Sequence, residues 1–274
     1  MLKQRLLTAA VLSALLIAAI FYFSTLWFAV VLAVFLATGA WEWARLMKSQ
    51  QSATTPVLPG ALVAMLIPLW FFQHETGVLL VILGLSAVGW CVVLASLPKS
   101  DTLRPIHAYG HATRFLIGAF LLAPPWLALI HLHITPQYGP WHVLFLFGLV
   151  GVADSAAYFT GRALGKHKLA PHISPGKTWE GVYGAFVATV IFAAVCGSLF
   201  EMRGMLLVAF VTLCLVTVMF SIVGDLFESL IKRQAGAKDS GTVLPGHGGV
   251  LDRIDSLTAA APIFTLGLWL LEGA

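Results

Sequence analysis

The sequence predicts an all-α polytopic integral membrane protein with about nine transmembrane helices and a cytoplasmic N-terminus. Of the 274 residues, 59% are hydrophobic and only 10% are charged, and the mean hydropathy is +0.91. Apolar runs of about 20 residues, the length needed to cross about 30 Å of hydrocarbon, recur along the whole chain. Lys and Arg are concentrated in alternate connections between these runs, as expected for loops on the cytoplasmic side.

The apolar runs, taken in order, place the helices. We expect them at roughly 6–23, 25–44, 57–73, 77–97, 115–132, 142–160, 179–199, 204–222 and 250–270. The close spacing of the runs in the first half leaves eight or ten helices as alternatives. The first run follows Lys3 and Arg5, as in a secretory signal, but it continues into the second run without a small-residue cleavage site. We therefore interpret it as a retained anchor.

The positions of Lys and Arg define the orientation. With the N-terminus inside, nine helices place the connections near 45–56, 98–114, 161–178 and 223–249 in the cytoplasm. Of the 16 Lys and Arg residues, all except Arg203 lie in the N-terminus, in these connections, or at Arg253 just beyond the last one. The net charge of +4 is therefore a consequence of membrane topology, and it requires no nucleic-acid partner.

Intramembrane charge distinguishes two regions of the chain. The predicted membrane helices of the N-terminal part carry almost no charged residues. Glu42 lies between Trp41 and Trp43 near the cytoplasmic end of the second helix, where we predict an interfacial, snorkelling role. The charged and glycine-rich segments all come later. We divide the chain into N-terminal transmembrane helices, 1–113, and a C-terminal catalytic region, 114–274.

The triplet Gly176-Lys177-Thr178 suggests a phosphate-binding P-loop, but the surrounding sequence does not fit that motif. The glycine required five residues before Gly176 is replaced by Pro171. We also expect no strand to lead into it. The remaining interpretation is a short cytoplasmic loop in which Ser174, Lys177 and Thr178 lie beside a helix start, where backbone amides and cations favour a phosphate.

Two pairs of carboxylates indicate a metal site. Asp225 and Glu228 are three residues apart near the end of the eighth helix, and Asp252 and Asp255 are three apart at the start of the ninth. Each pair projects from one helix face, and a single cytoplasmic loop connects the two helices. Hard oxygen ligands suit Mg²⁺. The helix dipole alone would account for Asp252 and Asp255 but not for Asp225, so we favour metal binding.

A carboxylate inside an apolar helix is also a functional candidate by default. Asp154 is such a residue, with pairing to a basic helix end as the alternative. We include Asp154 and Glu228 as additional candidate metal ligands.

The connection between the two acidic helices has little side-chain bulk. Its glycines, in the stretch 244–249, allow close approach of the backbone to a ligand, and successive amides can bind an anion. His247 is a candidate for positioning a phosphate or a leaving group, with helix capping or packing as the alternative. Cations that can neutralise a polyphosphate surround this connection: Lys232, Arg233, Lys238 and Arg253. Together with the carboxylates, these residues predict metal-assisted phosphoryl or nucleotidyl transfer to a lipid at the cytoplasmic face.

The segment from Ser229 to Asp255 resembles the signature of the CDP-diacylglycerol synthases, the phosphatidate cytidylyltransferase family. The matching elements are Ser229, Lys232-Arg233, Lys238-Asp239, Pro245-x-His247-Gly248-Gly249 and Asp252-Arg253-x-Asp255. Gly224-Asp225 and the stretch from Asp154 to Gly181 are also similar to the family. The resemblance covers roughly residues 150–256, whereas the earlier residues match mainly as a set of membrane helices.

The resemblance implies transfer of the cytidylyl group of CTP to phosphatidate, giving CDP-diacylglycerol and pyrophosphate, in the bacterial cytoplasmic membrane. It also implies a homodimer and a metal centre at Asp225, Asp252 and Asp255 with Mg²⁺ and K⁺. The catalytic residues would be Asp225, Lys232, Arg233, Lys238, Asp239, His247, Asp252, Arg253 and Asp255. The CTP and phosphate contacts would be Ser174, Lys177, Thr178, Glu180, Ser229, Gly248 and Gly249. Asp239 would orient Lys238 or contact the cytidine, and both roles stay open.

Two other functions share part of this pattern. A CTP-dependent lipid kinase acting on a polyprenol would use the same metal and nucleotide groups but would transfer the γ-phosphate. An ion-coupled transporter would line a path with Asp154 and the acidic pairs. The transporter is disfavoured because the charges gather at one membrane face and no inverted repeat is present.

Overall fold

The computed structural model describes residues 2–47, 57–98, 105–243 and 248–272. Within these ranges, ten α-helices and one small sheet follow one another along the chain. They are α1 (Leu2–Tyr22), α2 (Thr25–Leu46), α3 (Val57–Ala64), α4 (Leu66–Phe71), α5 (Thr76–Ser96), α6 (His111–Ile134), α7 (Gly139–Leu164), β1 (Lys168–Ala170), β2 (Ser174–Thr178), α8 (Trp179–Leu199), α9 (Gly204–Gln234) and α10 (Leu251–Glu272). A short 3₁₀ turn, Ile106–Ala108, precedes α6.

The helices confirm the prediction of a polytopic helical membrane protein. Within the described ranges, seven helices, α2 and α5 to α10, are long and apolar enough to cross a membrane. The apolar segments Ala10–Tyr22 and Val57–Phe71 are shorter, and the second is interrupted at Met65, between α3 and α4. All nine predicted positions are helical, but nine membrane crossings remain a prediction.

Contacts at the two ends of the bundle show that α2 and α6 run in opposite directions. At one end, Trp43 of α2 donates its indole N–H to the carbonyl oxygen of Arg114 of α6, at 3.1 Å. At the other end, the Thr25 hydroxyl of α2 lies 3.1 Å from Nδ1 of His133. The second ring nitrogen of His133 lies 3.0 Å from the carbonyl oxygen of Ile20, which links α1 to this end. An antiparallel α2 and α6 are consistent with the predicted alternation of the helices.

The helix α9 is longer than its apolar run. We expected it to end near 222, but it continues to Gln234 and has 31 residues. At about 1.5 Å per residue its length is about 46 Å, compared with about 30 Å of hydrocarbon. The polar residues of the motif that follow Ser221 therefore lie on helical turns that extend the membrane helix, instead of lying in a loop.

A small antiparallel hairpin precedes α8. Strand β1 pairs with β2, Lys168 opposite Thr178 and Ala170 opposite Ser174, with an irregularity in the register. We expected no strand to lead into the triplet Gly176-Lys177-Thr178, but the triplet lies in β2, so that expectation was wrong. The P-loop remains excluded, because Gly176, Lys177 and Thr178 are part of the strand itself and Pro171 still occupies the position of the missing glycine.

The helix α10 lies at the centre of the bundle, where it contacts α2, α5, α6, α7 and α9. Its inward residues Ala259, Ala260 and Ala261 are fully buried, and small residues of this kind let membrane helices approach closely. A Cβ added to Gly224 of α9 would lie 2.6 Å from the carbonyl oxygen of Asp255. The two helices therefore touch, backbone against backbone, at the level of the predicted carboxylate pairs.

Candidate active site

Acidic and basic side chains from four elements meet where α9 ends and α10 begins. We call this group the charge cluster. It joins all five predicted metal ligands to two of the predicted cations. Its members are Asp154 of α7, Lys177 of β2, Asp225, Glu228 and Lys232 of α9, and Asp252 and Asp255 of α10.

The hairpin positions Lys177 in the cluster. Ile173, in the hairpin turn, is buried against apolar side chains of α9, which fixes the hairpin on that helix. The ammonium of Lys177 then lies 2.6 Å from Oδ2 of Asp225. The other oxygen of Asp225 accepts a hydrogen bond from the hydroxyl of Ser229, one turn further on, at 3.3 Å. Ser229, predicted to contact phosphate, here orients a carboxylate.

Lys232 bridges the two acidic helices. Its ammonium lies 2.5 Å from Oε2 of Glu228, one turn earlier on α9, and 2.6 Å from Oδ1 of Asp252 on α10. Lys232 is 9% exposed and Glu228 only 3%. An ion pair this well buried is retained only when both charges are closely compensated, so Lys232 is the electrostatic link between α9 and α10.

Asp252 also holds the connection between α9 and α10. Its Oδ2 accepts hydrogen bonds from the backbone amides of Ser240, at 3.0 Å, and Gly249, at 2.9 Å. Beside it, Gly248 has a φ of +84°, a conformation that glycine adopts without a steric penalty. With Lys232 on Oδ1, both oxygens of Asp252 are engaged. A metal bound directly by Asp252 would therefore have to displace one of these partners from its carboxylate.

Two further carboxylates complete the cluster. Asp225 and Glu228 are within electrostatic range of Asp255, and Lys177 and Asp225 are within range of Asp154. The oxygen Oδ1 of Asp255 accepts the amide of the following residue, Ser256, at 2.7 Å. The predicted helical spacing of the two acidic pairs therefore does bring their side chains to one place.

The donor set of the cluster fits a hard cation. Among the described residues, the Asp, Glu, His and Cys side chains form no group of three arranged to hold a metal ion by themselves. Mg²⁺ does not require such a cage in the protein, because it is usually held by one or two carboxylates together with water and substrate phosphates. Asp225 and Asp255 offer carboxylate oxygens of this kind, with the negative charge of Glu228 close by.

Other predicted site residues surround the cluster. The guanidinium of Arg233 donates to the carbonyl oxygen of Ile173 in the hairpin, at 3.4 Å. Its side chain is exposed, as are those of Lys238, Asp239 and Arg253. His247 lies outside the described residues, with the rest of 244–247.

Three further residues predicted to bind CTP or its phosphates lie in the hairpin or at its junction with α8. Thr178 is buried and caps α8, its hydroxyl accepting from the amide of Gly181 at 3.2 Å. Glu180 accepts from the backbone amide of Lys166, at 3.1 Å, and from Nδ1 of His167, at 2.7 Å. Ser174 begins β2. Thr178 and Glu180 therefore shape the hairpin and its junction with α8.

Sequence reasoning missed one residue of the site, Glu42. The interfacial role predicted for it was wrong, because its side chain is completely buried. It accepts hydrogen bonds from the hydroxyl of Ser240, at 3.0 Å, and from the amides of Val250, at 3.0 Å, and Leu251, at 2.8 Å. A carboxylate flanked by tryptophans at a helix end gives no local signal of such a partner, since these residues lie roughly 200 positions away in the sequence.

The chain is similar to known cytidylyltransferases over nearly its whole length. The model of the cytidylyltransferase family matches residues 3–271. Phosphatidate cytidylyltransferase of Pseudomonas aeruginosa is 40% identical, over 98% of this chain and 97% of the relative. The proteins of the same name from Haemophilus influenzae and Bacillus subtilis are 37% and 31% identical, each over 97% of this chain and 98% of the relative. The match extends well beyond the motif, from the helix that carries Glu42 to α10, and this chain belongs to the cytidylyltransferase family.

Proposed function

We propose that this chain transfers the cytidylyl group of CTP to phosphatidate, giving CDP-diacylglycerol and pyrophosphate. One observation carries the proposal: several motif residues, among them Asp225, Lys232 and Asp252, lie in one cluster of carboxylates and lysines, in a chain that aligns almost end to end with phosphatidate cytidylyltransferases. The reaction joins two anionic phosphates, so its catalyst must above all neutralise and position negative charge.

The lysines can exchange their carboxylate partners for substrate. Lys177 and Lys232 each hold a carboxylate at 2.6 Å. A triphosphate that enters the cluster offers these ammonium groups alternative anionic partners. Exposed Arg233 and Lys238 can contact phosphates that remain outside.

The chemical step is an in-line displacement at the α-phosphorus of CTP. An oxygen of the phosphatidate phosphate forms the new bond, and the bond from the α-phosphorus to the oxygen bridging it to the β-phosphorus breaks. Pyrophosphate leaves with that electron pair. Phosphatidate is already an anion, so the step needs little help from a general base. The chain contributes orientation and compensation of the charge on the transferring group.

The cluster also supports a role for Mg²⁺. Asp225 and Asp255 would hold it, and Asp252 would join them by exchange with Lys232. Bound there, the ion would polarise the α-phosphate. K⁺ as a second cation is proposed from the motif resemblance alone.

The cluster lies at the end of the bundle that we assign to the cytoplasm. By sequence, all of the 16 Lys and Arg residues except Arg203 fall in or beside segments that we predict for that end, and the positive-inside rule favours the cytoplasm for such segments. CTP would then enter from the cytoplasm, and phosphatidate would approach within the bilayer. In a bacterium this membrane would be the cytoplasmic (inner) membrane.

We also propose a homodimer, on the resemblance of the motif to its family. Light scattering in detergent measures the mass of the protein particle and separates it from the monomer of 29.5 kDa. A monomeric particle that is fully active would refute the dimer without affecting the proposed reaction.

The reaction can be tested with purified protein, phosphatidate, Mg²⁺ and CTP labelled separately at the α- and γ-phosphates. We expect α-label in a chloroform-soluble product and γ-label in pyrophosphate. Lipid that carries only γ-label would identify a kinase. Absence of label from every lipid, with K⁺ also supplied, would refute both transfer reactions and favour transport.

A further inference from the structure

Glu42 holds together the two ends of the connection between α9 and α10. We use the term connection for residues 240–249, the part between Gln234 at the end of α9 and Leu251 at the start of α10 that carries the glycines of the motif. At its first end the hydroxyl of Ser240 donates to Oε2 of Glu42, at 3.0 Å. Just past its second end, the amide of Val250 donates to Oε1 at 3.0 Å, and that of Leu251 donates to Oε2 at 2.8 Å. A single carboxylate from the N-terminal half therefore ties both ends.

Asp252 makes a second tie between the same two ends, because it accepts the amides of both Ser240 and Gly249. The two carboxylates differ in what else they contact. Asp252 pairs with Lys232 and so belongs to the charge cluster. The described partners of Glu42 are the hydroxyl of Ser240 and the backbone amides of Val250 and Leu251, just past the connection. Its contacts thus hold the described residues at both ends of the connection, and through them the start of α10.

Two glycines make room for the carboxylate. A Cβ added to Gly249 would lie 2.6 Å from Oε2 of Glu42, and one added to Gly241 would lie 2.8 Å from its Cδ. Real side chains cannot approach so closely, so any larger residue would displace the carboxylate or, at Gly249, the hydroxyl of Ser240 that donates to it. The glycines of the motif are therefore explained in part by Glu42, in addition to any contact with a ligand.

We propose that Glu42 is a positioning residue for cytidylyl transfer. By fixing both ends of the connection, it fixes the first turn of α10, where Asp252 reaches Lys232. Its carboxylate form suits this task, because three donors converge on two oxygens that only accept. The inference rests on the proposed reaction for its kinetic consequence, but the hold on the connection can be measured without any substrate.

The variant Glu42→Gln tests the proposal with little change in side-chain volume. The amide nitrogen of Gln is a donor, so at least one of the three hydrogen bonds must be lost. We expect kcat to fall by about 10–100-fold, the range typical of groups that orient metal-site ligands. Hydrogen exchange of peptides covering 240–251 should become faster in the same variant.

Trp126→Phe provides a matched control. It removes a buried hydrogen bond, from the indole N–H of Trp126 in α6 to the carbonyl oxygen of Ala29 in α2, at 3.1 Å. This contact stabilises α2 without touching the connection. We expect Trp126→Phe to lower the melting temperature while kcat per folded enzyme and exchange of 240–251 stay at wild-type values.

Two results would overturn the inference. One is Glu42→Gln with kcat within about twofold of wild type, well below the range cited above. The other is a loss of kcat no larger than that of Trp126→Phe at equal thermal stability, without faster exchange of 240–251. Wild-type protein that makes no CDP-diacylglycerol would instead refute the proposed function, and with it the kinetic part of this inference. The exchange experiment would still decide whether Glu42 orders the connection.

Discussion

Replacing Lys232 by Met should both destabilise the protein and stop the reaction, and the two effects can be separated. The ammonium of Lys232 lies 2.5 Å from Glu228 and 2.6 Å from Asp252. Methionine keeps most of the length and apolar bulk of the side chain but removes the charge. Two carboxylates at the junction of α9 and α10 then lose their cation.

The expected cost follows from how each carboxylate is compensated. Removing one partner of a buried ion pair costs about 3–5 kcal/mol, because the remaining charge stays buried. Asp252 would keep its two backbone amides. Glu228 accepts no hydrogen bond of good geometry from the described residues, so it should account for most of the loss. On the scale of soluble proteins, about 2–4 °C per kcal/mol, the melting temperature should fall by about 6–20 °C.

A second substitution shows whether the stability lost in Lys232→Met comes from the missing charge or from altered packing. Adding Glu228→Gln to Lys232→Met neutralises the carboxylate that is left without a partner, so the double variant should recover much of the lost stability. It should remain inactive, because Lys232 is proposed to contact substrate phosphates. Thermal melting in detergent and CDP-diacylglycerol synthesis would be measured on both variants. Lys166→Met, which changes an exposed lysine, serves as the control.

The reasoning would be refuted if Lys232→Met melted within about 2 °C of wild type, far less than the cost of a broken buried pair. It would also be refuted if the double variant were no more stable than the single one. Either result would mean that Glu228 does not need Lys232 as its counter-charge. Full activity of the double variant would remove Lys232 from the proposed site.

Three further predictions concern the same region. Asp252→Asn should abolish turnover in membranes while leaving expression intact. The single oxygen of the Asn side chain cannot accept the backbone amides of both Ser240 and Gly249 and also accept from the ammonium of Lys232. Retained synthesis of CDP-diacylglycerol would refute the assignment of Asp252 to the active site. Gly249→Ala should lower kcat and speed hydrogen exchange of the connection, since its Cβ would meet Glu42 at 2.6 Å; an unchanged kcat would show that the connection tolerates displacement. Chelation with EDTA should stop synthesis and added Mg²⁺ should restore it, whereas activity in EDTA would contradict the metal proposal.

The parts of the site that sequence could predict are those set by local spacing. Asp225 and Glu228, like Asp252 and Asp255, are three residues apart, and this separation puts each pair on one helix face. A short connection then makes the two helix ends neighbours. These two facts account for the part of the cluster that lies on α9 and α10, but not for Lys177 and Asp154.

The end of α9 shows where hydropathy is uninformative. The apolar run stops near 222, but the helix continues to Gln234. Hydropathy marks where the hydrocarbon ends, whereas a helix continues as long as its polar residues find partners. Here the ion pair of Glu228 with Lys232, one helical turn apart, supplies such partners.

The hairpin and Glu42 could not be predicted, for two different reasons. Strand β1 has three residues and β2 has five, which is too short for an alternating pattern, and β2 contains a proline that usually argues against a strand. The contact of Glu42 with Val250 spans 208 positions, and the local pattern of a carboxylate between tryptophans describes an interfacial residue equally well.

The inside of the site is mainly acidic, whereas the residues around it are basic. The cluster contains the carboxylates Asp154, Asp225, Glu228, Asp252 and Asp255 but only the cations Lys177 and Lys232, so ionised carboxylates would leave it with an excess of negative charge. Around it lie the exposed cations Arg233, Lys238 and Arg253. An excess of buried negative charge is costly near a membrane, and a divalent cation lowers that cost, while the surrounding cations favour a polyanion. A site of this kind gains most from binding a cation and a polyphosphate together, which are the ligands that metal-assisted transfer from CTP requires.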